Sequence, residues 1–474
     1  MLQKLGETSS RLASRFIPDA FVFALMLSAV VYGLGVGLTP SGPAEMVGHW
    51  YEGFWSLLEF SMQMILILLT GYVLAQSSIV KRGLDRLASL PGTGRQAIFL
   101  IALVTLLAGF VNWGLGLVVG AVLSIAVAKN AKARGIRVHF PLAVAAGYMG
   151  LSIHSAGFSS TAPLLVNTEG HFLENEIGTV PLTETIITPF NLILVGIYVA
   201  LIPLVLRGMS PPSDKCQEIG PSGDDEGPGE PTDPVEDGRE ADGAGKGAVQ
   251  TDESVSTQRV PTTVVTRLEN NVVLTLLVVV PGFLYIGWFF ATNGFDLNIN
   301  IVNFIFLMIG LAVYKTPIAY VQAITEAVRS AGGIVLQFPF YAGILGMMQY
   351  SGLVDVIAGG MVAISNSVTF PALAFLSAAL VNFFVPSAGG QWAVQGPVLI
   401  EAGRSLGVSK GVIIMAHQYG DQVTNMLQPF WALPLLGLTG LKARDILGYT
   451  AVVMLLGILI FGIGITVLPL VFGL

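Results

Sequence analysis

The sequence predicts an all-α polytopic membrane protein of two inverted repeats, with broken helices and paired re-entrant hairpins. Three observations support this fold class: long apolar stretches, the placement of basic residues between them, and landmarks of the first half that return in the second. Only 11% of the 474 residues are charged and 53% are hydrophobic, whereas a soluble domain carries about 25% charged residues. We therefore expect a protein embedded in a lipid bilayer.

Eleven apolar stretches define the order of the elements. A bilayer crossing takes about 20 apolar residues; most of the stretches are near that length and two are much longer. Because Lys and Arg accumulate in cytoplasmic loops, their placement predicts nine crossings and two hairpins, with a cytoplasmic N-terminus and an external C-terminus. The stretches are 17–38, 54–78, 96–128, 140–165, 182–206, 271–292, 298–314, 331–349, 370–402, 411–436 and 447–473.

The long stretch 96–128 has basic residues at both ends, Arg95 before it and Lys129 after it. Since both ends then lie on the cytoplasmic side, the stretch leaves and returns as a hairpin. Two halves of about 15 residues would each rise about 22 Å, less than the thickness of a bilayer. We place its turn at 112–116 and the turn of the second hairpin at 381–392, where a proline and two glycines interrupt helical hydrogen bonding.

Several landmarks of the first half recur in the second half in the same order. In each half a tyrosine and a proline stand 15 residues apart (163 − 148 and 434 − 419), and a Val-Asn pair lies upstream. Five predicted crossings separate 17–38 from 298–314, and an odd number inverts the second repeat. Inverted repeats with discontinuous helices are typical of secondary transporters. The landmarks are Val111–Asn112, Tyr148 and Pro163, with Val381–Asn382, Tyr419 and Pro434 as counterparts.

The chain divides into a first membrane repeat (1–206), an acidic linker (207–266) and an extra helix followed by the second repeat (267–474). The linker is rich in Asp, Glu, Gly and Pro, a composition that buries too little apolar surface to fold, so we predict a disordered cytoplasmic tether. It holds Cys216, the single cysteine, which excludes an internal disulfide framework. The sequence contains no P-loop, His-Glu-x-x-His or Gly-x-Ser-x-Gly motif, and so nothing indicates ATP-driven pumping or metalloprotease chemistry.

Polar residues and glycines at the two hairpin turns are candidates for binding a small anion. The ends of broken helices direct backbone N–H groups and a positive dipole at one point, and glycines let a ligand approach closely. The alternative is that the glycines only let the helices pack tightly. The candidates are Asn112, Gly114, Gly116, Asn382, Ser387, Gly389, Gly390 and Gln391.

Two further polar patches, 152–163 and 420–429, interrupt apolar stretches. Their polar groups could coordinate a carboxylate or a cation, although hydroxyls in such segments also bend helices by bonding to backbone carbonyls. Because ionisable residues at membrane depth are functional candidates, we assign Asp421 and His154 to a coupling proton or ion; a satisfied acid and a structural histidine are the alternatives. The remaining substrate-binding candidates are Ser155, Ser159, Ser160, Thr161 and Asn425.

Several longer motifs resemble the prokaryotic short-chain fatty acid transporter family, and together they cover nearly the whole chain except the linker. They are RFIPDAFVFAL from residue 15, GFWSLLEFSMQM from 53, VNWGLGLVVGA from 111, QFPFYAGI from 337, VPSAGGQW from 385 and QPFWALP from 428. The resemblance implies a fold with inverted repeats and paired hairpins. Family members can carry Trp at 154, His at 391 and Glu at 421, so this chain departs at His154 and Gln391 and keeps an acid at Asp421.

The resemblance implies uptake of short monocarboxylates such as acetoacetate or butyrate through the plasma membrane. With the repeat architecture, it predicts a secondary active symporter that works by alternating access, coupled to H⁺ or Na⁺ and needing no other cofactor or metal. Trp113, Phe383 and Trp431 are candidates for an apolar wall. A carrier of di- or tricarboxylates, a channel and an intramembrane enzyme are the alternatives. The expected partners are the carboxylate and the bilayer, a homo-oligomer is left open, and nucleic acid is not expected.

Overall fold

The computed structural model describes residues 20–220, 263–383 and 385–473, and within these ranges it is helical, without strands. Eight of the described helical segments are long and apolar enough to cross a membrane, and the predicted all-α polytopic class is confirmed. The α-helices are α1 (Ala20–Leu38), α2 (Pro43–Phe54), α3 (Leu58–Gln76), α4 (Ser78–Ala88), α5 (Gly94–Val111), α6 (Trp113–Ala133), α7 (Phe140–Gly147), α8 (Thr161–Val166), α9 (Glu174–Ile177), α10 (Pro189–Gly208), α11 (Val264–Glu269), α12 (Val272–Asn293), α13 (Ile299–Tyr314), α14 (Pro317–Val328), α15 (Gly332–Tyr350), α16 (Leu353–Ala363), α17 (Phe370–Asn382), α18 (Ala388–Ser405), α19 (Lys410–Thr424), α20 (Pro429–Thr439) and α21 (Ala443–Phe472).

Helix breaks occur in all four stretches where the sequence predicted them. Asn112, in an extended conformation (φ −155°, ψ 130°), separates α5 from α6. Helix α17 ends at Asn382, and the non-helical residues 385–387 precede α18. Short 3-10 turns interrupt the chain between α7 and α8, and again between α19 and α20. Backbone groups freed at such breaks need partners inside the protein, and these partners shape the site described below.

The hairpin turns are shorter than predicted, because α6 begins at Trp113 and α18 at Ala388, and the glycines that follow are helical. Helices α5 and α6 contain 18 and 21 residues and rise about 27 and 32 Å, close to the roughly 30 Å of bilayer hydrocarbon. The expectation of short half-helices was therefore wrong for this first pair. That either pair re-enters from one side of the membrane stays a prediction.

The order of the helices recurs from the first half to the second. In each half an apolar helix is followed by helices of 12, 19 and 11 residues ahead of the hairpin. Helix α3 packs on α13 and α14, and its counterpart α15 packs on α1 and α2, so that the halves exchange equivalent contacts. This recurrence agrees with the sequence landmarks, while the inversion of one half relative to the other stays a prediction.

The start of the predicted linker is packed against the first half. The Gln217 N–H donates to His139 Nδ1 (3.1 Å), and the Gln217 carbonyl accepts from the Phe140 N–H (2.7 Å). The chain is therefore held up to residue 220, which corrects the prediction that the free tether begins at 207. Residues 221–262, most of the predicted tether, lie outside the described residues, as does the predicted cytoplasmic N-terminus, 1–19.

Candidate functional site

The second helix of each hairpin begins with a side-chain cap. Asn112 Oδ1 accepts from the Leu115 N–H (3.0 Å) at the start of α6. Ser387 Oγ accepts from the Gly390 N–H (3.2 Å) at the start of α18. A side-chain oxygen in this position satisfies an otherwise free helical N–H. The two repeat-related turns thus share one capping arrangement at two helix N-termini.

A small cavity lies where these two helix starts meet the second pair of breaks. Trp113 opens α6, Ser387 and Ala388 open α18, and all three line the cavity. Its volume of about 30 Å³ has room for about two waters. A carboxylate with a short chain therefore enters only when the lining side chains move apart.

The cavity is lined by both polar and apolar side chains. The rings of Trp113 and Trp431 meet edge-on, with centroids 5.6 Å apart. These two of the three predicted wall residues line the cavity, whereas Phe383 does not. A cavity of this kind suits a ligand with one polar end and a short apolar tail. The polar lining residues are His154, Thr161, Ser387 and Asn425, and the other apolar ones are Met64, Leu151, Ile334 and Phe338.

Those last four apolar residues were missed by the sequence analysis. Met64 lies on α3 and Phe338 on α15, in the motifs SMQM and QFPF. Since these motifs were already noted for the family resemblance, a signal for both residues was present. Leu151 and Ile334 are ordinary apolar residues that no sequence pattern distinguishes.

The second pair of breaks meet each other across the two halves of the chain. The Tyr148 hydroxyl donates to the carbonyl of Asn425 (3.0 Å) and lies 3.3 Å from that of Gln428. Ser160 Oγ lies 3.1 Å from Gln418 Oε1. The Tyr148 contacts satisfy backbone carbonyls that the broken helix leaves free. Tyr148 is one of the repeated landmarks, and its role here is to join the halves.

Asn112 and Asn382 are completely buried and support the turns from behind. Asn382 Nδ2 lies 2.7 Å from the Asp421 carbonyl, 2.9 Å from Thr424 Oγ1 and 2.8 Å from Asn425 Oδ1. Asn112 Nδ2 reaches a backbone carbonyl of α3 at 3.4 Å. Neither asparagine lines the cavity, so in this conformation both hold the helix breaks in place.

The four candidate glycines of the turns are packing positions in this conformation. A Cβ at Gly116 would lie 2.6 Å from a backbone atom of α5, and one at Gly114 would lie 3.0 Å from a carbonyl of α3. A Cβ at Gly389 would lie 3.0 Å from a phenylalanine ring, and one at Gly390 would overlap the ring of Tyr341. None of the four lines the cavity, which favours the close-packing alternative.

Three further candidates are divided between the cavity and its support. Thr161 lines the cavity directly. Ser159 Oγ accepts from the Trp113 N–H (3.0 Å) and so fixes the start of α6. Gln391 Nε2 donates to the Ala378 carbonyl (2.8 Å) and ties α18 to α17. Ser159 and Gln391 therefore position the helix starts that form the cavity.

His154, Ser155 and Asp421 form a row from the cavity wall into the interior. His154 Nδ1 lies 3.0 Å from the Leu151 carbonyl, which requires a hydrogen on Nδ1 and leaves Nε2 facing Ser155 Oγ at 3.1 Å. Ser155 Oγ lies 3.4 Å from Asp421 Oδ2. Among the residues that the structure describes, Asp421 is the one buried carboxylate, and no Lys or Arg is buried.

A buried carboxylate without a cationic partner is strongly disfavoured as an anion. Asp421 Oδ1 has no hydrogen-bond partner among the described residues, so the group needs a proton or a cation from elsewhere. In the described ranges, no cluster of three or more His, Cys, Asp or Glu side chains could hold a metal ion. That Asp421 takes a coupling proton or cation stays a prediction.

Comparison with known proteins agrees with this architecture. The model of the short chain fatty acid transporter family matches residues 1–468. The chain belongs to this family. A candidate short-chain fatty acid transporter of Escherichia coli is 38% identical over 98% of this chain and 100% of its own length, and one of Haemophilus influenzae is 36% identical over 98% and 99%.

A solved structure has the same fold as this member of the short-chain fatty acid transporter family. The YdaH transporter of Alcanivorax borkumensis, described as having an unusual topology, superimposes with a TM-score of 0.57. The match covers 96% of this chain and 99% of that one at 18% identity. At this identity the likeness concerns the fold alone.

The intramembrane-enzyme alternative has no support from the geometry. The side chains of His154 and Ser155 lie 3.1 Å apart in a 3-10 turn. In a hydrolytic triad, however, the acid orients the histidine through Nδ1. Here Nδ1 faces the Leu151 carbonyl and Asp421 contacts the serine, so the three residues do not form such a triad.

Proposed function

We propose that the protein is a secondary active symporter for short-chain monocarboxylates such as acetoacetate or butyrate in the plasma membrane. The observation that carries the proposal is the cavity at the starts of α6 and α18, which both polar and apolar side chains line. Helix N-termini favour negative charge, and here two of them converge beside hydroxyl and amide side chains. The apolar side chains suit a tail of a few carbons.

Ser387 is the residue best placed to receive the carboxylate. Its oxygen already accepts from the Gly390 N–H, and its own hydrogen donates to no partner among the described residues. A carboxylate in the cavity would therefore gain a charge-assisted hydrogen bond without breaking the helix cap. Thr161 and Asn425 line the same cavity and complete the binding group.

The charge of the interior favours a monocarboxylate over the di- or tricarboxylate alternative. The cavity lining contains no Lys or Arg, and over the described ranges none is buried elsewhere. Two or three carboxylates in such a site would leave uncompensated charge, which is costly in a low-dielectric interior. One carboxylate is served by hydroxyls, amides and helix N-termini alone.

Alternating access follows from the placement of the cavity between two groups of helices. One wall belongs to α3 and α15, the other to the hairpins and breaks. Movement of the second group against the first would open the cavity to one side and then to the other, as in other inverted-repeat carriers. In the proposed orientation the N-terminus and linker are cytoplasmic and the C-terminus is external.

Ion coupling is needed because the substrate is an anion. Its entry against an inside-negative potential costs about 2.3 kcal/mol per 100 mV. A symported H⁺ or Na⁺ neutralises this charge, and Asp421 with His154 is the proposed place for it. His154 lines the cavity and is linked through Ser155 to Asp421, so the ion and the substrate can influence each other.

Uptake of labelled acetoacetate into proteoliposomes tests the proposal under an imposed pH gradient, a Na⁺ gradient or neither. Acetoacetate is the better probe, because weaker acids such as butyrate cross bilayers more readily as neutral molecules. We expect accumulation under one gradient only, competition by butyrate and none by succinate. Equal uptake by protein-free liposomes would refute the function, and conductance far above carrier turnover would favour a channel.

A further inference from the structure

Ser155 lies between a residue of the cavity wall and the buried acid. We propose that His154 and Ser155 form a proton relay between the substrate cavity and Asp421. This inference rests on the proposed function, and it goes further by assigning H⁺ as the coupling ion and by giving Ser155 a task separate from substrate binding.

The three residues differ in their access to the cavity. His154 lines the cavity and retains 6% of its exposure, whereas Ser155 and Asp421 are completely buried. Asp421 is not part of the lining. A proton that enters from the cavity therefore meets the imidazole first and reaches the carboxyl through the Ser155 hydroxyl.

His154, Ser155 and Asp421 together have the number of hydrogens that the transfer of one exchangeable proton requires. Two gaps separate the three residues, 3.1 Å from His154 Nε2 to Ser155 Oγ and 3.4 Å from Ser155 Oγ to Asp421 Oδ2. The serine supplies one hydrogen, which can fill one gap only. With one added proton, both gaps are filled, and the proton can reside on either end group.

The transfer is balanced for every atom. Starting from a protonated Asp421, the Oδ2–H bond breaks and the proton joins Ser155 Oγ, while the original Ser155 hydrogen moves to His154 Nε2. The serine ends as it began, the carboxyl becomes a carboxylate and the imidazole becomes an imidazolium. The Leu151 carbonyl, 3.0 Å from Nδ1, accepts a hydrogen bond from the ring in both states.

The longer gap makes the relay dependent on conformation. An O–H···O hydrogen bond usually spans 2.5 to 3.0 Å, so at 3.4 Å the Asp421 side of the relay is open. Asp421 lies on α19, whereas His154 and Ser155 lie in the break before α8. Movement of α19 against that break, as a substrate fills the cavity, would shorten or lengthen the distance from Ser155 Oγ to Asp421 Oδ2. It would thereby connect or disconnect the relay.

Among the described residues, no other titratable side chain is hydrogen-bonded to Ser155 or Asp421. His417, one turn before Asp421, bonds through Nδ1 to Gln418, and Tyr419 donates to Asn191. Among the elements packed on α19, helices α8 and α17 carry no titratable side chain. The remaining titratable groups on the neighbouring elements are Tyr148, Glu184, Glu401, Arg404, Arg444, Asp445 and Tyr449, with Tyr198 behind them on α10.

The relay is tested on the full-length protein in liposomes by infrared spectroscopy after a pH jump. The carbonyl stretch of the protonated Asp421 is identified as the band that Asp421→Asn lacks. We expect Ser155→Ala to slow equilibration of this band about 100-fold, the usual size of a positioned proton-transfer group. Ser155→Thr should restore the rate. Ser152→Ala is the matched control, since Ser152 is equally buried in the same break but bonds to the Met149 carbonyl (2.7 Å) and the Tyr198 hydroxyl rather than to His154 or Asp421.

Transport supplies a second measurement. Ser155→Ala should lose accumulation of acetoacetate driven by a pH gradient but keep exchange of labelled for unlabelled acetoacetate, which needs no net proton movement. An unchanged rate of the Asp421 band in Ser155→Ala, or no rescue by Ser155→Thr, would overturn the relay. If the Asp421 band equilibrates faster in the wild type than in Ser155→Ala but the wild type takes up no acetoacetate, the proposed function is overturned and the relay is not.

Discussion

Ser387→Ala tests whether Ser387 binds the carboxylate in addition to capping the start of α18. The change removes the oxygen that accepts from the Gly390 N–H at 3.2 Å, and loss of such a cap costs about 1 kcal/mol of stability. It also removes the hydroxyl proposed to bind the carboxylate. A hydrogen bond to a charged group contributes about 1.5 to 3 kcal/mol, so the KM for acetoacetate should rise about 10- to 100-fold.

Ser77→Ala is the matched control for this experiment. Ser77 caps α4 by accepting from the Val80 N–H (3.3 Å), is buried, and does not line the cavity. Both variants should lose a similar amount of thermal stability, measured by a dye-based unfolding assay in detergent. Only Ser387→Ala should change KM in proteoliposome uptake. Equal KM values for the two variants would refute the assignment of Ser387 to the carboxylate.

Two further predictions concern packing and pH. Gly116→Ala should lower the unfolding temperature in detergent, because its Cβ would lie 2.6 Å from the Gly109 Cα. Gly33→Ala is the control and should not lower it, because a Cβ at Gly33 has no atom within 4 Å. Equal unfolding temperatures for the two variants would contradict the packing role. Burial lowers the pKa of His139 below its usual 6.5, so the stability that its neutral form contributes is complete above pH 6.5 and is lost as the pH falls below it. The Gln217 amide donates to His139 Nδ1, so its protection against hydrogen exchange should fall as the pH is lowered from 7.5 to 5.5, once the intrinsic exchange rate of the amide is corrected for. Constant protection over this range would refute the proposed role of neutral His139.

Local sequence signals predicted the helix breaks well. Polar residues and prolines inside apolar stretches marked all four, since a chain in hydrocarbon breaks its helices only where other groups satisfy the backbone. The short helices α2, α4, α14 and α16 were not predicted, because they are too short to cross a bilayer. The turn at Asn112 was placed within four residues, and a binding role for its neighbouring glycines stays a prediction.

The functional site was predicted only in part, for a physical reason. Ser387, Thr161, Asn425 and His154 carry polar groups in an apolar setting, which the sequence reveals. Whether such a group faces a cavity or a neighbouring backbone depends on packing between distant segments. Thus His154 lines the cavity, whereas Asn382 bonds to the break at 425–428.

By itself, the sequence determined the membrane class, the family, the order of the repeats and the positions of the breaks, because composition, periodicity and helix-breaking residues act locally. Only the tertiary structure decided which residues meet. Ser155 and Asp421 stand 266 positions apart, and no local rule places one beside the other. Their contact exists because two broken segments from different halves pack together, where each supplies the polar partners that the bilayer cannot.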